Sequence, residues 1–276
     1  MKLKEIPISI YTSLKLSKLS NEVLKNKTKD EIPVIVSLTS IPTRLPTLHL
    51  TIKSILNQEV RPKAIILWLH HSLENKIPKK LERLEDDLFH IKYSDLTCSH
   101  RKLIHTIELY PNDNIITCDD DMMYHPNWLR LLYLEHLEHP KSIIGNQTRY
   151  IQYSKTGEVL PYKEWVYTNE NSFNPNAVIA IGAEGILYPP YVLSDKTTDS
   201  DLFLKLTPKA DDLWFKGMAI LKGTIVISAK KRAKTPIPII GSQKKSLKKQ
   251  NISGDENRNQ WVALTEYFNI ETEIFL

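Results

Sequence analysis

The sequence predicts an α/β fold in which helices flank a central, mostly parallel β-sheet. Short runs of β-branched and aliphatic residues alternate with segments whose apolar residues recur at helical spacing. Within the runs almost every residue is apolar, which is typical of strands buried on both faces of a parallel sheet. Polar residues, including three consecutive aspartates, follow these runs directly, and ligands of such sheets bind at the carboxyl ends of the strands.

The first half of the chain alternates strands with helices. Residues 32–38, IPVIVSL, predict the first strand, and residues 46–58 predict a helix because Leu48, Ile52 and Ile55 recur at helical spacing. The other predicted elements of this half are strands over 63–69, 90–95 and 114–118 and helices over 100–109 and 127–139. This order indicates parallel strands joined by crossover helices.

The second half is less regular. Its predicted elements are a strand-and-turn element over 177–190, a helix over 210–223, a strand over 224–228 and a closing helix with Trp261, Leu264 and Phe268 on its apolar stripe. The predicted helix over 210–223 ends at Gly223, a residue that favours helix termination. We find no internal repeat or linker, and we expect one domain over residues 32–276 after a lysine-rich leader over residues 1–31.

Composition limits the class of protein. The 276 residues include 41% hydrophobic and 25% charged residues, which is ordinary for a soluble globular chain, and the net charge of +5 is too mild to indicate a nucleic-acid partner. There is no stretch of about 18 apolar residues that would predict a transmembrane helix. Cys98 and Cys118 are expected to be reduced thiols of a cytoplasmic protein.

Three adjacent aspartates, Asp119, Asp120 and Asp121, follow the predicted strand over 114–118. Their carboxylates repel one another, and a hard divalent ion such as Mg²⁺ or Mn²⁺ would relieve that repulsion because it prefers oxygen ligands and often shares them with phosphate. The alternative is a helix N-cap, which requires only one aspartate. Three in a row after a buried strand favour a metal site.

Five motifs resemble, in order, those of the GT-A glycosyltransferases, and most of all the bacterial family-2-like enzymes that build surface polysaccharides. They are SLTSIPTR (37–44), SHRKL (99–103), the DxD-like segment DDDMMYHPNWL (119–129), IGAEGILYPP (181–190) and ADDLWF (210–215). The resemblance implies a Rossmann-like, nucleotide-binding GT-A fold. It also implies a donor half over about 32–145, and an acceptor half with a C-terminal cover over about 146–276.

The resemblance implies roles for residues on the donor side. Asp121 would be a direct metal ligand, and Asp119 would serve the metal and the ribose. The remaining donor-binding candidates are Thr39, Ser40, Arg44, Asp95, Lys102 and Asp120. Arg44 and Lys102 would support the diphosphate as cations. Each candidate also has an ordinary alternative as a surface cation, a turn-forming hydroxyl or a capping carboxylate.

On the acceptor side, Asp212 resembles the second acid of the family's late acidic motif, so it is the expected base of an inverting transfer. Asp211 is the alternate base and stands where the family more often has glutamate. Helix capping is the other role open to both residues. Glu184 would contact the acceptor, unless its role is structural.

The expected function is therefore that of a metal-dependent glycosyltransferase. It would use Mn²⁺ or Mg²⁺, a nucleotide-sugar donor such as a UDP-sugar, and a glycan or lipid-linked glycan acceptor in bacterial capsule or lipopolysaccharide synthesis. Lysines gather over 229–234 and 243–250, where they suit a phosphorylated ligand, an anionic surface at the inner face of the membrane or a merely solvated face. Residues 241–261 resemble a cover over the donor.

Two other functions remain open at this point. A sugar-nucleotidyltransferase uses a similar sheet and metal, but it requires a glycine-rich loop after the first strand, and SLTSIPTR contains no glycine. A non-catalytic nucleotide- or carbohydrate-binding module would tolerate the loss of either acidic pair, whereas this sequence keeps both.

Overall fold

A seven-stranded sheet forms the centre of the computed structural model, which describes residues 3–168, 174–242 and 254–275. Its strands are β1 (Glu31–Thr39), β2 (Arg61–His70), β3 (Phe89–Ser94), β4 (Asn114–Thr117), β6 (Ile143–Gly145), β10 (Ile186–Tyr188) and β11 (Val226–Ser228). They lie in the order β11-β6-β10-β4-β1-β2-β3. All neighbours are parallel except β10, which is antiparallel to both β4 and β6. The predicted mostly parallel sheet is confirmed.

Helices cover both faces of this sheet. They are α1 (Ile6–Ser17), α2 (Asn21–Leu24), α3 (Leu45–Leu56), α4 (Lys79–Glu82), α5 (Arg101–Leu109), α6 (Trp128–Glu138), α7 (Ser200–Leu206), α8 (Asp211–Lys222) and α9 (Glu256–Tyr267). The helices predicted over the first half are confirmed to within about two residues, and α8 ends at Gly223 in the left-handed conformation expected of it. No helix in the described ranges is long and apolar enough to span a membrane.

The alternation of side chains along β1 produces two hydrophobic layers. Val34 and Val36 belong to one core, together with Leu48 and Ile52 of α3. Ile35, between them, belongs to the other core. All the side chains from Val34 to Leu38 are buried, which agrees with the continuous apolar run that the sequence shows.

Two smaller sheets were not predicted as sheets, although one of their strands, Val178–Ala180, lies within the strand-and-turn element predicted over 177–190. Strands β7 (Thr148–Tyr150), β8 (Val166–Thr168) and β9 (Val178–Ala180) form an antiparallel sheet between β6 and β10, and β5 (Met122–Met123) pairs with β12 (Ile237–Pro238). Strands of two or three residues are too short to show a period of two, so the sequence pattern does not reveal them.

The direction of β10 brings the loops of both halves to one edge. Ile186, at its start, pairs with Thr117 at the end of β4 and with Gly145 at the end of β6. Ser228, at the end of β11, also pairs with Gly145. The segments that follow β1, β4, β6 and β11 and the segment that precedes β10 therefore meet at the carboxyl edge of the parallel strands.

Candidate active site

The aspartate triplet lies at this edge and contacts the loop after β1. Asp120 is buried, its carboxylate accepts a hydrogen bond from Ser40 Oγ, and it forms an ion pair with Arg44. Thr51 Oγ1 donates to the main-chain oxygen of Asp120 at 2.9 Å. Arg44 Nη2 also lies 3.0 Å from Asp121 Oδ2. Arg44 thus joins the first-strand loop to two of the three acids.

The charge balance of the triplet corrects the argument made from the sequence. There we expected repulsion among the aspartates to call for a bound dication. In the structure, Arg44 pairs with Asp120 and Asp121, and Lys102 Nζ lies 3.4 Å from Asp119 Oδ1. Protein cations therefore supply part of the compensating charge, and adjacent aspartates alone do not establish a metal site.

Asp119 and Asp121 nevertheless suit a hard cation better than Asp120 does. The side chain of Asp119 is 35% exposed, so its oxygens face the open edge. Burial and the neighbouring charge of Asp119 raise the pKa of Asp121 to about 7 in spite of Arg44, which indicates that more positive charge would be accommodated there. Asp120 has both carboxylate oxygens engaged by Ser40 and Arg44, so it fits a positioning role.

Within the described ranges, one group of three close metal-ligating side chains occurs, and it lies elsewhere. It consists of Glu135, Glu138 and His139 at the end of α6. A divalent ion on Asp119 and Asp121 would therefore complete its coordination with oxygens from the diphosphate and from water, as Mg²⁺ commonly does.

Lys102 connects the triplet to the second acidic pair. Its buried Nζ lies 3.0 Å from Asp211 Oδ2 and 3.4 Å from Asp119 Oδ1. Burial opposes the charge of Lys102, but Asp211, Asp119 and Asp212 together raise its pKa well above the ordinary value. The sequence suggested both Lys102 and Asp211 as site residues, and the structure brings them into direct contact.

The two acids of ADDLWF differ in ionisation. Burial opposes ionisation of Asp211, yet Lys102 outweighs it, and the pKa of Asp211 falls below the ordinary value. Burial and the charge of Asp211 raise the pKa of Asp212 to about 8. One acid is thus held ionised while its neighbour keeps its proton near neutral pH, which is how carboxyl pairs are separated into different roles.

Gly182 lies at the centre of these charges. Its amide donates to Asp212 Oδ2 at 3.2 Å. A Cβ built on Gly182 would lie 3.3 Å from both Asp212 Oδ1 and Lys102 Nζ, and 3.6 Å from Asp119 Oδ1. We call Asp119, Lys102, Asp211, Asp212 and Gly182 the acidic cluster. The importance of Gly182 could not be predicted from the GAEG motif, because the turn approaches Asp119, Lys102 and Asp212 only in the folded chain.

Thr39 and Ser40 are held by a residue that the sequence analysis passed over. Arg101 is buried, and its guanidinium donates to Thr39 Oγ1, to the main-chain oxygen of Ser40 and to that of Leu96. Thr39 Oγ1 in turn donates to Trp68 O at 2.9 Å. Arg101 therefore fixes the loops after β1 and β3 to each other. Its position beside Lys102 in SHRKL was the available signal.

Asp95 lies away from the acidic cluster, and the side chain of Glu184, although close to it in the chain, is not one of its members. Asp95 is exposed just beyond β3, the edge strand, two strands from β1. Glu184 ends the 3-10 turn Gly182–Glu184, and its Oε1 accepts a hydrogen bond from Gln147 Nε2 at 3.0 Å. Residues 243–253, which hold most of the expected donor cover, lie outside the described residues.

Tyr124 and Trp128 join the aspartate loop to the GAEG turn. The Tyr124 hydroxyl accepts from the amide of Asp119 at 2.9 Å and donates to Ala183 O at 3.2 Å. Trp128 Nε1 donates to Glu184 O at 2.7 Å. These two aromatic residues of the DDDMMYHPNWL motif therefore fix the aspartate loop relative to the GAEG turn.

A cavity of about 520 Å³ opens beside the GAEG turn. Its lining consists of Gln147, Thr148, Tyr167, Glu184, Lys230, Arg232, Ala233, Lys234 and Thr235. We call it the basic cavity. Glu184 is common to this cavity and to the turn that begins at Gly182, so the basic cavity adjoins the acidic cluster.

The aspartate triplet and the acidic cluster together offer groups that can bind a charged ligand and, beside it, a carboxylate that can take up a proton. Two carboxylates, Asp119 and Asp121, can hold a hard cation, and the buried ammonium of Lys102 can face an anion. Asp212, with a pKa of about 8, can accept a proton once it is ionised, at about pH 8 and above.

The chain resembles a known protein family in sequence and, more distantly, some solved structures. The model of glycosyl transferase family 2 matches residues 41–186, and no curated protein matches the sequence. Similar solved structures include 4-diphosphocytidyl-2C-methyl-D-erythritol synthase from Anaerococcus prevotii DSM 20548, with 13% identity over 85% of this chain and 96% of that chain and a TM-score of 0.42. They also include apo UDP-glucose pyrophosphorylase, with 10% identity over 88% of this chain and 99% of that chain and a TM-score of 0.44.

The family match spans part of the site described above, whereas Asp211, Asp212 and the cations over 230–234 lie beyond it. It includes the first-strand loop with Arg44, the SHRKL segment with Lys102, the aspartate triplet and the GAEG turn. Because it covers more than half of the 276 residues, the chain belongs to glycosyl transferase family 2.

Proposed function

We propose that this glycosyltransferase is metal-dependent and transfers a sugar from a nucleotide donor, a UDP-sugar, to a carbohydrate acceptor. The observation that carries the proposal is the acidic cluster, in which Lys102 bridges Asp119 of the donor edge and Asp211 of α8 around Gly182. Donor-side and acceptor-side chemistry are thereby adjacent at the carboxyl edge of the sheet.

On the donor side, Asp119 and Asp121 would hold Mn²⁺ or Mg²⁺, because they are the members of the triplet whose oxygens suit a further cation. When bound, such an ion supplies Lewis-acid stabilisation of the charge that develops on the departing diphosphate. Lys102 and Arg44 add fixed positive charge at the same place. The other proposed donor contacts are Thr39, Ser40, Asp95 and Asp120.

On the acceptor side, Asp212 accepts the proton of the attacking hydroxyl. Lys102 keeps Asp211 ionised, and the charge of Asp211 adds to burial in raising the pKa of Asp212 to about 8. A base with a pKa near the working pH is effective in proton transfer. Attack assisted by a protein base on the face opposite the diphosphate inverts the anomeric configuration. Glu184 is the proposed contact to the acceptor.

The acceptor is a glycan or lipid-linked glycan of bacterial capsule or lipopolysaccharide synthesis, and the enzyme acts in the cytoplasm at the inner face of the membrane. This setting follows from the family resemblance of the five motifs and from the lysine runs over 229–234 and 243–250.

The test combines UDP binding with donor turnover. We expect UDP to bind more tightly with Mn²⁺ than without it, and slow metal-dependent hydrolysis of at least one UDP-sugar from a panel of donors. Asp121→Asn should abolish turnover while the unfolding temperature stays close to that of the wild type. Asp195→Asn is the matched control, because its side chain is fully exposed and lies outside the site.

Other outcomes would replace the proposal. Formation of a UDP-sugar from UTP and a sugar 1-phosphate would indicate a nucleotidyltransferase. Binding of nucleotide without turnover of any donor would indicate a binding module. Retention of the anomeric configuration, measured by proton NMR of the product, would remove Asp212 as the base.

A further inference from the structure

The basic run AKKRAK (229–234) follows directly after β11. The proposed donor chemistry gives these residues no role. Arg232 Nη1 donates to Asn146 O at 3.1 Å. The amide of Lys231 lies 3.5 Å from an oxygen of the buried Glu135 carboxylate. These contacts hold the run against the carboxyl edge of the sheet, so its cations have defined positions beside the site.

The charge of the basic cavity is unbalanced. Lys230, Arg232 and Lys234 line it, and Glu184 is the one carboxylate among the described lining residues. Burial raises the pKa of Glu184, whereas Arg232 opposes the rise. A concave site with this excess of positive charge attracts and concentrates anions.

The rest of the cavity suits a sugar ring. Tyr167 is 54% exposed, and its ring is held by the guanidinium of Arg149 at 4.0 Å from the ring centroid. Gln147 and Thr148 add polar groups to the lining. An aromatic face with a few convergent polar groups is the usual composition of a small-molecule site.

The basic cavity lies next to the proposed base. Glu184 lines the cavity, and Gly182, which begins the same turn, donates its amide to Asp212 at 3.2 Å. A sugar seated on Tyr167 with its anionic group among the cations would therefore lie beside the acidic cluster.

We propose that the basic cavity binds an anionic group of the acceptor, a carboxylate or a phosphate, so that the acceptor is an acidic or phosphorylated glycan. Arg232 forms the main charge-assisted hydrogen bonds, and Lys230 and Lys234 supply further charge. This inference rests on the proposed function, since it names the acceptor class for that site.

The experiment measures binding of three probes, glucose 6-phosphate, glucuronate and glucose, by isothermal titration calorimetry or ligand-observed NMR. We expect at least one of the two anionic sugars to bind. Glucose should bind at least about tenfold more weakly, because the loss of a charge-assisted hydrogen bond commonly lowers affinity by that factor. The two anionic probes distinguish phosphate from carboxylate. Arg232→Gln and Lys234→Gln should each weaken anionic binding.

Lys231→Gln is the matched control, because Lys231 is an exposed lysine of the same run that does not line the cavity. It should bind the anionic probes as the wild type does. Equal binding of glucose and the anionic sugars, absence of binding by both anionic sugars, or equal losses in Lys231→Gln and Lys234→Gln would overturn the proposal. Donor hydrolysis by the wild type is measured separately, so failure here is distinct from failure of the proposed function.

A second inference comes from α1, which buries a serine against the protein and exposes several apolar residues to the outside. Its inner face carries Ser9, which is fully buried and donates to Pro238 O at 2.7 Å, and Leu16, which packs on Met123. Apolar residues of the outer face are Ile10, Tyr11 and Leu14, which are between 47% and 64% exposed. Spacings of one, three and four residues among them place them in one stripe of the helix.

Lysines accompany this stripe. Lys4, Lys15 and Lys18 are exposed on the same segment. An apolar stripe bordered by lysines is the composition of helices that lie in the surface of an anionic bilayer. A second copy of the chain fits the stripe less well, because a symmetric contact would bring the lysines of both copies together.

We infer that α1 binds an anionic lipid surface through this stripe. The helix packs beside β5 and β12, and β5 directly follows Asp121, so the bound membrane would lie on the donor-edge side of the protein. The inference deepens the membrane setting of the proposed function and does not depend on its chemistry.

The test is cosedimentation of the full chain with vesicles of phosphatidylcholine alone or mixed with phosphatidylglycerol. We expect binding to the anionic vesicles that weakens with salt, and at least about tenfold weaker binding by Ile10→Ser/Leu14→Ser, since two apolar side chains leave the interface. Leu134→Ser/Leu137→Ser is the control, since both leucines are exposed on α6. Equal binding to neutral vesicles, equal loss in the control, or a dimer that Ile10→Ser/Leu14→Ser dissociates would overturn the inference.

Discussion

Replacement of Lys102 by methionine tests the electrostatics of the acidic cluster. The Lys102 side chain is 6% exposed and lies 3.0 Å from Asp211 and 3.4 Å from Asp119. At an effective dielectric constant of about 20, each contact corresponds to roughly 5 kcal/mol of gross attraction. Water screens the contact with Asp119, and desolvation of the lysine offsets much of the rest, so we expect a net loss of about 3–5 kcal/mol in the free energy of unfolding.

The loss should depend on pH with a defined sign. Lys102 holds the pKa of Asp211 below its ordinary value, so this stabilisation is present above the unfolded carboxyl pKa and is lost as the pH falls through the lowered one. In Lys102→Met, Asp211 and Asp119 lose their cationic partner. Protonation removes the unfavourable burial of their unpaired charges, and it occurs more readily at lower pH. Urea unfolding should therefore show a larger destabilisation at pH 8 than at pH 5.

Lys216 provides a matched control. It is a buried lysine of α8 whose Nζ donates to Pro175 O at 3.2 Å, and among the described residues it pairs with no carboxylate. Burial lowers the pKa of Lys216 to about 7. Burial of the charged ammonium therefore destabilises the folded state most at pH 7 and below. The destabilisation decreases as the pH rises from 7 toward the pKa of an unfolded lysine. Lys216→Met should leave stability unchanged or increase it at pH 7. Equal losses in the two variants at both pH values would refute the reasoning.

Three further predictions concern activity. The value of kcat/KM should rise about tenfold per pH unit below pH 8 and then level off, because Asp212 acts as a base only after it loses its proton. A pH profile without this rise contradicts the assignment of Asp212 as the base. Gly182→Ala should lower kcat about 10- to 100-fold with little change in the unfolding temperature, since the added methyl group approaches Asp212 and Lys102 at 3.3 Å; unchanged kcat refutes this role. Removal of divalent ions with EDTA should abolish donor hydrolysis, and added Mn²⁺ should restore it; full activity in EDTA contradicts metal dependence.

The sequence was most informative where one element determines the structure. The apolar runs predicted β1, β2 and β4, and the parallel order implied that Thr39 and the aspartate triplet would lie at one edge. The contact between Lys102 and Asp211 could not be predicted in the same way, because it depends on how α5 and α8 pack on a shared sheet. Each residue was a plausible candidate, but no local pattern joins positions 109 residues apart.

Local patterns also failed for the residues that position others. Arg101 was indistinguishable from a surface cation until the structure showed its partners, and Arg44, although predicted to contact the donor, gave no sign of its ion pairs with the aspartate triplet. The outward stripe of α1 was hidden for a related reason, since the period of a helix does not show which face meets the protein. Gly185, at φ 100°, admits no Cβ because its place is 2.7 Å from the Trp128 ring, and the sequence showed only a glycine in a turn.

The antiparallel direction of β10 has a consequence for how acceptor specificity can diversify. The chain leaves the central sheet at the end of β6 and re-enters it at the start of β10, and the two points are adjacent, with Gly145 opposite Ile186. Everything between them, including β7, β8 and β9, is an excursion whose ends already meet. Insertions or replacements within it cost little loop-closure entropy and need not shift β1 or β4. Relatives of this enzyme can therefore exchange the proposed acceptor segment while the proposed donor edge, at β1 and β4, stays unchanged.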